Sequence, residues 1–155
     1  MRQILKNSSI AFGLLFVACF AFLAGKESEQ IKKIIFTEKA PKPLGPYCQA
    51  VFAKDLLFIS GQIAINPLTN VLDTSGIENE TKQVMENITA VLNAAGLQTS
   101  HILKGTIYLT DLKNFKQVNE VYGNYFKESP AAREAVQVVA LPKGAHVEIS
   151  VIAAK

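Results

Sequence analysis

Val147-Glu148-Ile149-Ser150-Val151-Ile152-Ala153-Ala154 places apolar side chains at every second position, and the run Arg133 to Leu141 precedes it across Pro142-Lys143-Gly144. Alternate residues of a strand point to the same face, so Val147, Ile149, Val151 and Ala153 form one core face. The same reading gives the preceding strand a core face of Val136, Val138 and Ala140. Arg133, Ala135, Gln137 and Val139 then fall on the opposite face, as do Glu148, Ser150 and Ile152 of the last strand. That second face is too apolar for an ordinary wet surface.

Working back along the chain, Ile102 to Thr110 repeats the period of two, with Leu103, Gly105, Ile107 and Leu109 on one side. Ile77, Val84, Ile88, Val91, Leu92 and Ala95 instead recur at helical spacing, and Gly96 supplies a stop. A second helix follows Asp111 or Asn114 as cap, with a stripe of Phe115, Val118, Tyr122, Tyr125 and Phe126. Short strands are expected over Ile31 to Phe36, Cys48 to Ala53 and Leu56 to Ser60, with Ala40 to Pro46 as a proline-rich loop. Two helices can cover only one face of such a sheet. The composition is therefore α+β, and the other face lacks cover within the chain, for which subunit association is the simplest source.

The 155 residues, 49% of them apolar, fit a single domain. Residues 1–25 differ from the rest: Arg2 and Lys6 precede an apolar, acid-free run from Ile10 to Ala24, which suits a signal peptide and implies export to the periplasm or medium. An uncleaved segment giving membrane association is the alternative, and Cys19 adds a weak lipoprotein-like option. Residues 26–33 read as connector and 34–155 as the folded domain. The whole-chain balance of 16 basic to 13 acidic residues becomes 14 to 13 without residues 1–25, because Arg2 and Lys6 leave and no acid does. Nucleic acid is not expected as a partner, since no concentrated basic surface is visible. Within the domain Cys48 has no second cysteine to pair with, so the core must hold the fold.

His101 and His146 stand apart without metal-site spacing, so no metal is expected, and no glycine run matches a nucleotide fingerprint. Ser60 lacks a GxSxG frame and reads locally as a strand-end serine. Arg133 and Glu148, placed by alternation on the non-core faces of neighbouring strands, read either as a structural ion pair or as a ligand site. In the second case the guanidinium would hold a carboxylate through two hydrogen bonds while the glutamate manages protons or water.

Several pieces then fall in order: Pro43-Leu44-Gly45-Pro46-Tyr47, Phe58-Ile59-Ser60-Gly61-Gln62-Ile63, Leu92-Asn93-Ala94-Ala95-Gly96-Leu97, Asp111-Leu112-Lys113-Asn114-Phe115 with Val118-Asn119, Ala132-Arg133, Ala140-Leu141-Pro142-Lys143-Gly144 and Val147-Glu148-Ile149. Through them Ile34 to Ala153 resembles the Rid family of reactive-intermediate deaminases, also called the YjgF family. The resemblance implies a chorismate-mutase-like α+β fold, one mixed β-sheet with two helices packed on one face. It also implies a homotrimer with sites in clefts between subunits, and cofactor-free hydrolysis of 2-imino acids or their enamine tautomers to 2-keto acids and ammonia. Small 2-imino or 2-keto carboxylates are the implied ligands. By the same resemblance Arg133 clamps the substrate carboxylate and Glu148 holds or polarises water. Tyr47, Ser60, Gly61, Asn119 and Ala135 line the pocket.

Two positions depart from the family pattern. Ala135 stands where some members carry cysteine, which leaves non-covalent acid-base hydrolysis as the mechanism. Ala131 stands where proline commonly precedes the Ala-Arg pair, which bears on how Arg133 is presented. A trimeric binding or stress-associated protein that holds small carboxylates without catalysis is the competing reading, which export would favour. An endoribonuclease is a remoter one, without support from the near-neutral charge.

Overall fold

The computed structural model describes residues 32–155, which form one compact unit. The chain runs β1 (Lys33–Ile35), β2 (Ala50–Ala53), β3 (Leu56–Gln62), α1 (Ile77–Ala94), β4 (Ile102–Leu109), α2 (Phe115–Gly123), β5 (Ala132–Gln137) and β6 (Val147–Ala154). A single six-stranded sheet takes the order β1-β2-β3-β6-β4-β5. Every pairing is antiparallel except β4 with β5, which is parallel. A parallel pair needs a crossover rather than a hairpin, and the segment containing α2 provides it. The fold is the expected α+β arrangement, one mixed sheet with its helices on one face.

Val84, Met85, Ile88, Val91 and Leu92 of α1 are fully buried, and they join Leu57, Ile107, Leu109, Val147, Ile149, Val151 and Ala153 in one core. The last strand behaves as its alternation predicts. Gly96 ends the α1 region at φ 77°, a left-handed turn that an L side chain adopts only with strain. At the start of the second helix the Asp111 carboxylate accepts from Lys113 N–H, ahead of a 3-10 turn at Leu112–Asn114.

Two expectations about faces fail. A register irregularity between Ile102 and Lys104 turns Leu103 outward, so Ile102 is buried in its place. More consequentially, β5 is inverted. Its register sets Arg133 beside Gly105 and Ala135 beside Ile107, which puts Arg133 and Ala135 on the helix-covered face, whereas Val136 lies beside Tyr108 on the open face. Ala131 and Ala135 pack against the core and Val136 remains 42% exposed. The hydrophobic pattern misled because the open face is itself apolar: Leu56 and Phe58 are exposed there beside Ile152 and Tyr108. Alternation identifies two faces but not which one a helix covers.

The membrane association expected through residues 1–25 is also corrected. No helix among the described residues is long and apolar enough to cross a membrane. Residues 1–25, on which the export reading falls too, lie outside the described residues.

Candidate active site

The end of β3 bends where its pairing with β6 shifts between Ile59 and Gln62. At this irregularity Ser60 and Gly61 meet Glu148 of β6 in a cleft of about 350 Å³, completed by Tyr47, Leu44, Ile63 and Pro142. Glycine at position 61 is a steric requirement. A Cβ there would stand 2.7 Å from Glu148 Cδ, well inside contact distance. The carboxylate therefore lies directly on the strand backbone.

Glu148 is half-buried, and burial without a compensating cation raises its carboxyl pKa above the ordinary value. A carboxyl tuned upward holds its proton closer to neutral pH, which suits a group that must both give and take one. Ser60 Oγ donates to Cys48 O at 2.7 Å, which anchors the strand end to the loop before β2. Tyr47 Oη accepts from Leu44 N–H at 3.0 Å and so keeps its own proton for a ligand.

Behind this loop lies a residue that the sequence reading passed over. Gln49 is buried; its Oε1 accepts from Thr37 N–H, and its Nε2 donates to the carbonyls of Thr37, Ala40 and Pro41 at 2.9, 3.1 and 2.9 Å. One side chain thus fixes the proline-rich loop that presents Tyr47. A glutamine at the head of a strand run, flanked by alanine and cysteine, is a faint signal of such a buried polar anchor.

The second group of residues lies at the β5 edge of the sheet. Arg133 Nη1 donates to Asn119 Oδ1, and the guanidinium carbon lies 5.3 Å from the Phe115 ring centroid and 5.6 Å from that of Tyr122. Both rings belong to α2 and their faces attract the cation. Tyr122 approaches the sheet over Gly105, where a Cβ would meet its hydroxyl at 2.5 Å. Burial raises the Tyr122 pKa, and the positive charge of Arg133 acts in the other direction.

The predicted residues therefore separate. Tyr47, Ser60, Gly61 and Glu148 converge in one cleft, while Arg133, Asn119 and Ala135 occupy the helix-covered side of β5. No ion pair joins Arg133 to Glu148, because the sheet lies between them. A larger recess of about 420 Å³, bounded by Thr37, Lys39, Glu86, Thr89, Asn93 and Tyr125, contains none of these residues.

The family described as endoribonuclease L-PSP matches residues 37–155. A Yersinia pestis protein of the conserved Rid protein family has a solved structure at TM-score 0.78 and 49% identity, covering 80% of this chain and 99% of that one. This chain belongs to the Rid family. The 2-iminobutanoate/2-iminopropanoate deaminase of Bos taurus is also similar, 45% identical over 126 residues, which are 81% of this chain and 92% of that protein. The structure of E. coli TdcF with bound serine superposes at TM-score 0.76 and 39% identity, over 79% of this chain and 98% of that one.

Proposed function

We propose that this Rid-family chain hydrolyses 2-imino acids, or their enamine tautomers, to 2-keto acids and ammonia. The observation that carries the reading is Glu148, a half-buried carboxyl with a raised pKa lying on Gly61 in a cleft otherwise walled by Leu44, Tyr47, Ile63 and Pro142. The Bos taurus relative bears the name of this activity.

The chemistry follows from the two groups of residues. Arg133 binds the substrate carboxylate through its fork, held in orientation by Asn119 and the Phe115 ring. Protonated Glu148 gives its proton to the imine nitrogen, which makes the C2 carbon electrophilic. Water adds to that carbon, its proton returns to the Glu148 carboxylate, and the resulting carbinolamine collapses to ketone and ammonia. The phenol of Tyr47 donates a hydrogen bond within the cleft. Because Arg133 and Glu148 face opposite sides of one sheet, we assign them to a shared site between neighbouring subunits of a homotrimer, with the apolar open face buried at its centre.

The serine held by TdcF favours a second reading, in which the cleft binds small carboxylates without turnover. One assay separates them. Imines are generated in place from several amino acids by an amino-acid oxidase, and keto-acid release is followed with and without the full chain. Acceleration over the spontaneous rate supports hydrolysis; an unchanged rate across the panel, with ligand binding retained, supports the second reading.

A further inference from the structure

Glu80, in the first turns of α1, is a buried acidic residue, its side chain 1% exposed. Its Oε1 lies 3.1 Å from His146 Nδ1, and its Oε2 has no hydrogen-bond partner among the described residues. Burying a carboxylate with one oxygen unmatched is unfavourable, and an apolar residue would fill the same volume without that cost. The contact reaches a segment that matters to the cleft. His146 immediately precedes β6 and lies two residues from Glu148; it follows the turn of Pro142, Lys143 and Gly144, whose first residue lines the cleft beside that carboxylate.

The turn is otherwise held by its backbone and a small apolar cluster: Thr110 N–H donates to His146 O at 3.1 Å, and Leu141 and Ala145 pack with Ile63, Ile65 and Leu72, while Lys143 and Gly144 are both left-handed, at φ 58° and 75°. Glu148 itself is flanked by buried Val147 and Ile149, so its backbone is set by the sheet, but the cleft wall over its carboxyl depends on where the turn is held. Tyr47 is the other titratable side chain lining that cleft among the described residues.

We propose that Glu80 and His146 are positioning residues for Glu148: their contact ties the Pro142 turn to the start of α1 and so holds the cleft wall beside the carboxyl. The proposal rests on the catalytic reading of Glu148 for its consequence in turnover, but its geometry is testable without substrate. Losing the contact should let water into the cleft and undo part of the burial that raises the Glu148 pKa. Turnover should fall by about 10-fold or more, since displacing a reacting group by an ångström can cost on the order of 100-fold.

The experiment is carbon-13 NMR titration of the full chain labelled at glutamate, with the Glu148 signal assigned by its loss in Glu148→Gln. In His146→Ala the Glu148 midpoint should fall toward the ordinary carboxylate value. In His146→Asn, whose amide N–H can stand in for Nδ1–H, it should stay at the wild-type value with kcat retained. Glu80→Leu keeps the core filled if His146→Ala folds poorly, and it should show the same fall. A midpoint unchanged in Glu80→Leu overturns the proposal. So does a His146→Asn midpoint that moves away from wild type, or a rise in both histidine variants. Absence of imine turnover in the wild type would count against the proposed function and leave these midpoints decisive for the positioning role.

Discussion

Arg133 and Glu148 lie on opposite faces of the same sheet: the register sets Arg133 beside Gly105 under α2 and Glu148 beside Tyr108 on the open side. A site that uses both must take one from each of two subunits. Arg133→Ala and Glu148→Gln should each be inactive as pure trimers of unchanged sedimentation mass. Co-expressed in equal amounts, they should recover activity at about one site in four, by random assortment around a closed ring. Mixed trimers without activity, or a wild-type chain that sediments as a monomer, would rule out the shared site.

Arg133→Lys tests the clamp. Lysine keeps the charge but has neither the planar fork that receives a carboxylate nor the flat surface that faces Phe115 and Tyr122. Losing a hydrogen-bonded charged contact costs about 2 to 5 kcal/mol, so kcat/KM should drop by at least about tenfold while circular dichroism and trimer mass stay unchanged. Full activity in a folded Arg133→Lys trimer would remove the clamp from the mechanism.

Gly61→Ala should uncouple folding from turnover. The added methyl would stand 2.7 Å from Glu148 Cδ, and the side chain has cleft space into which it can swing. Displacement of the carboxyl by about an ångström predicts a loss on the order of 100-fold in kcat, with little change in Tm. Retained turnover would show that the carboxyl need not lie on the strand.

The raised Glu148 pKa has a signed consequence. The folded state holds this proton more tightly than the unfolded chain does, so the contribution of Glu148 to stability is most favourable at low pH and is lost as pH rises from the ordinary carboxylate range through the raised native value. Glu148→Gln, which cannot ionise, should therefore raise Tm relative to wild type at pH 8 and not at pH 4, while abolishing turnover. A Tm lowered at pH 8 would mean that the carboxylate is stabilised where it lies. In the wild type, kcat should decline as pH rises through the raised Glu148 value, above the ordinary carboxylate range, because the active form carries the proton.

Tyr122→Phe removes a hydroxyl that has no hydrogen-bond partner among the described residues and that sits over Gly105. Leaving a buried polar group unpaired costs about 1 to 3 kcal/mol, so chemical denaturation should find the variant as stable as wild type or more so. A loss of stability would show that the hydroxyl makes a stabilising contact where it lies.

Periodicity in the sequence determined the two helices, the β6 core face from Val147 to Ala153 and the α+β class, because each of these is a local repeat read against one buried surface. The ordered motifs determined the family and the residues to suspect. Only the tertiary structure decided how those residues combine. The face of β5 depends on its parallel register with β4, a pairing between segments on either side of α2, and a one-residue difference in register exchanges the two faces of a strand. That register separates Arg133 from Glu148. Contacts between distant segments settled the rest: Gln49 holding the 37–41 loop, Tyr122 resting on Gly105, and Glu80 reaching His146 across 66 positions of sequence. Such polar and steric partnerships have no period, so they become visible only when the chain has brought their members together.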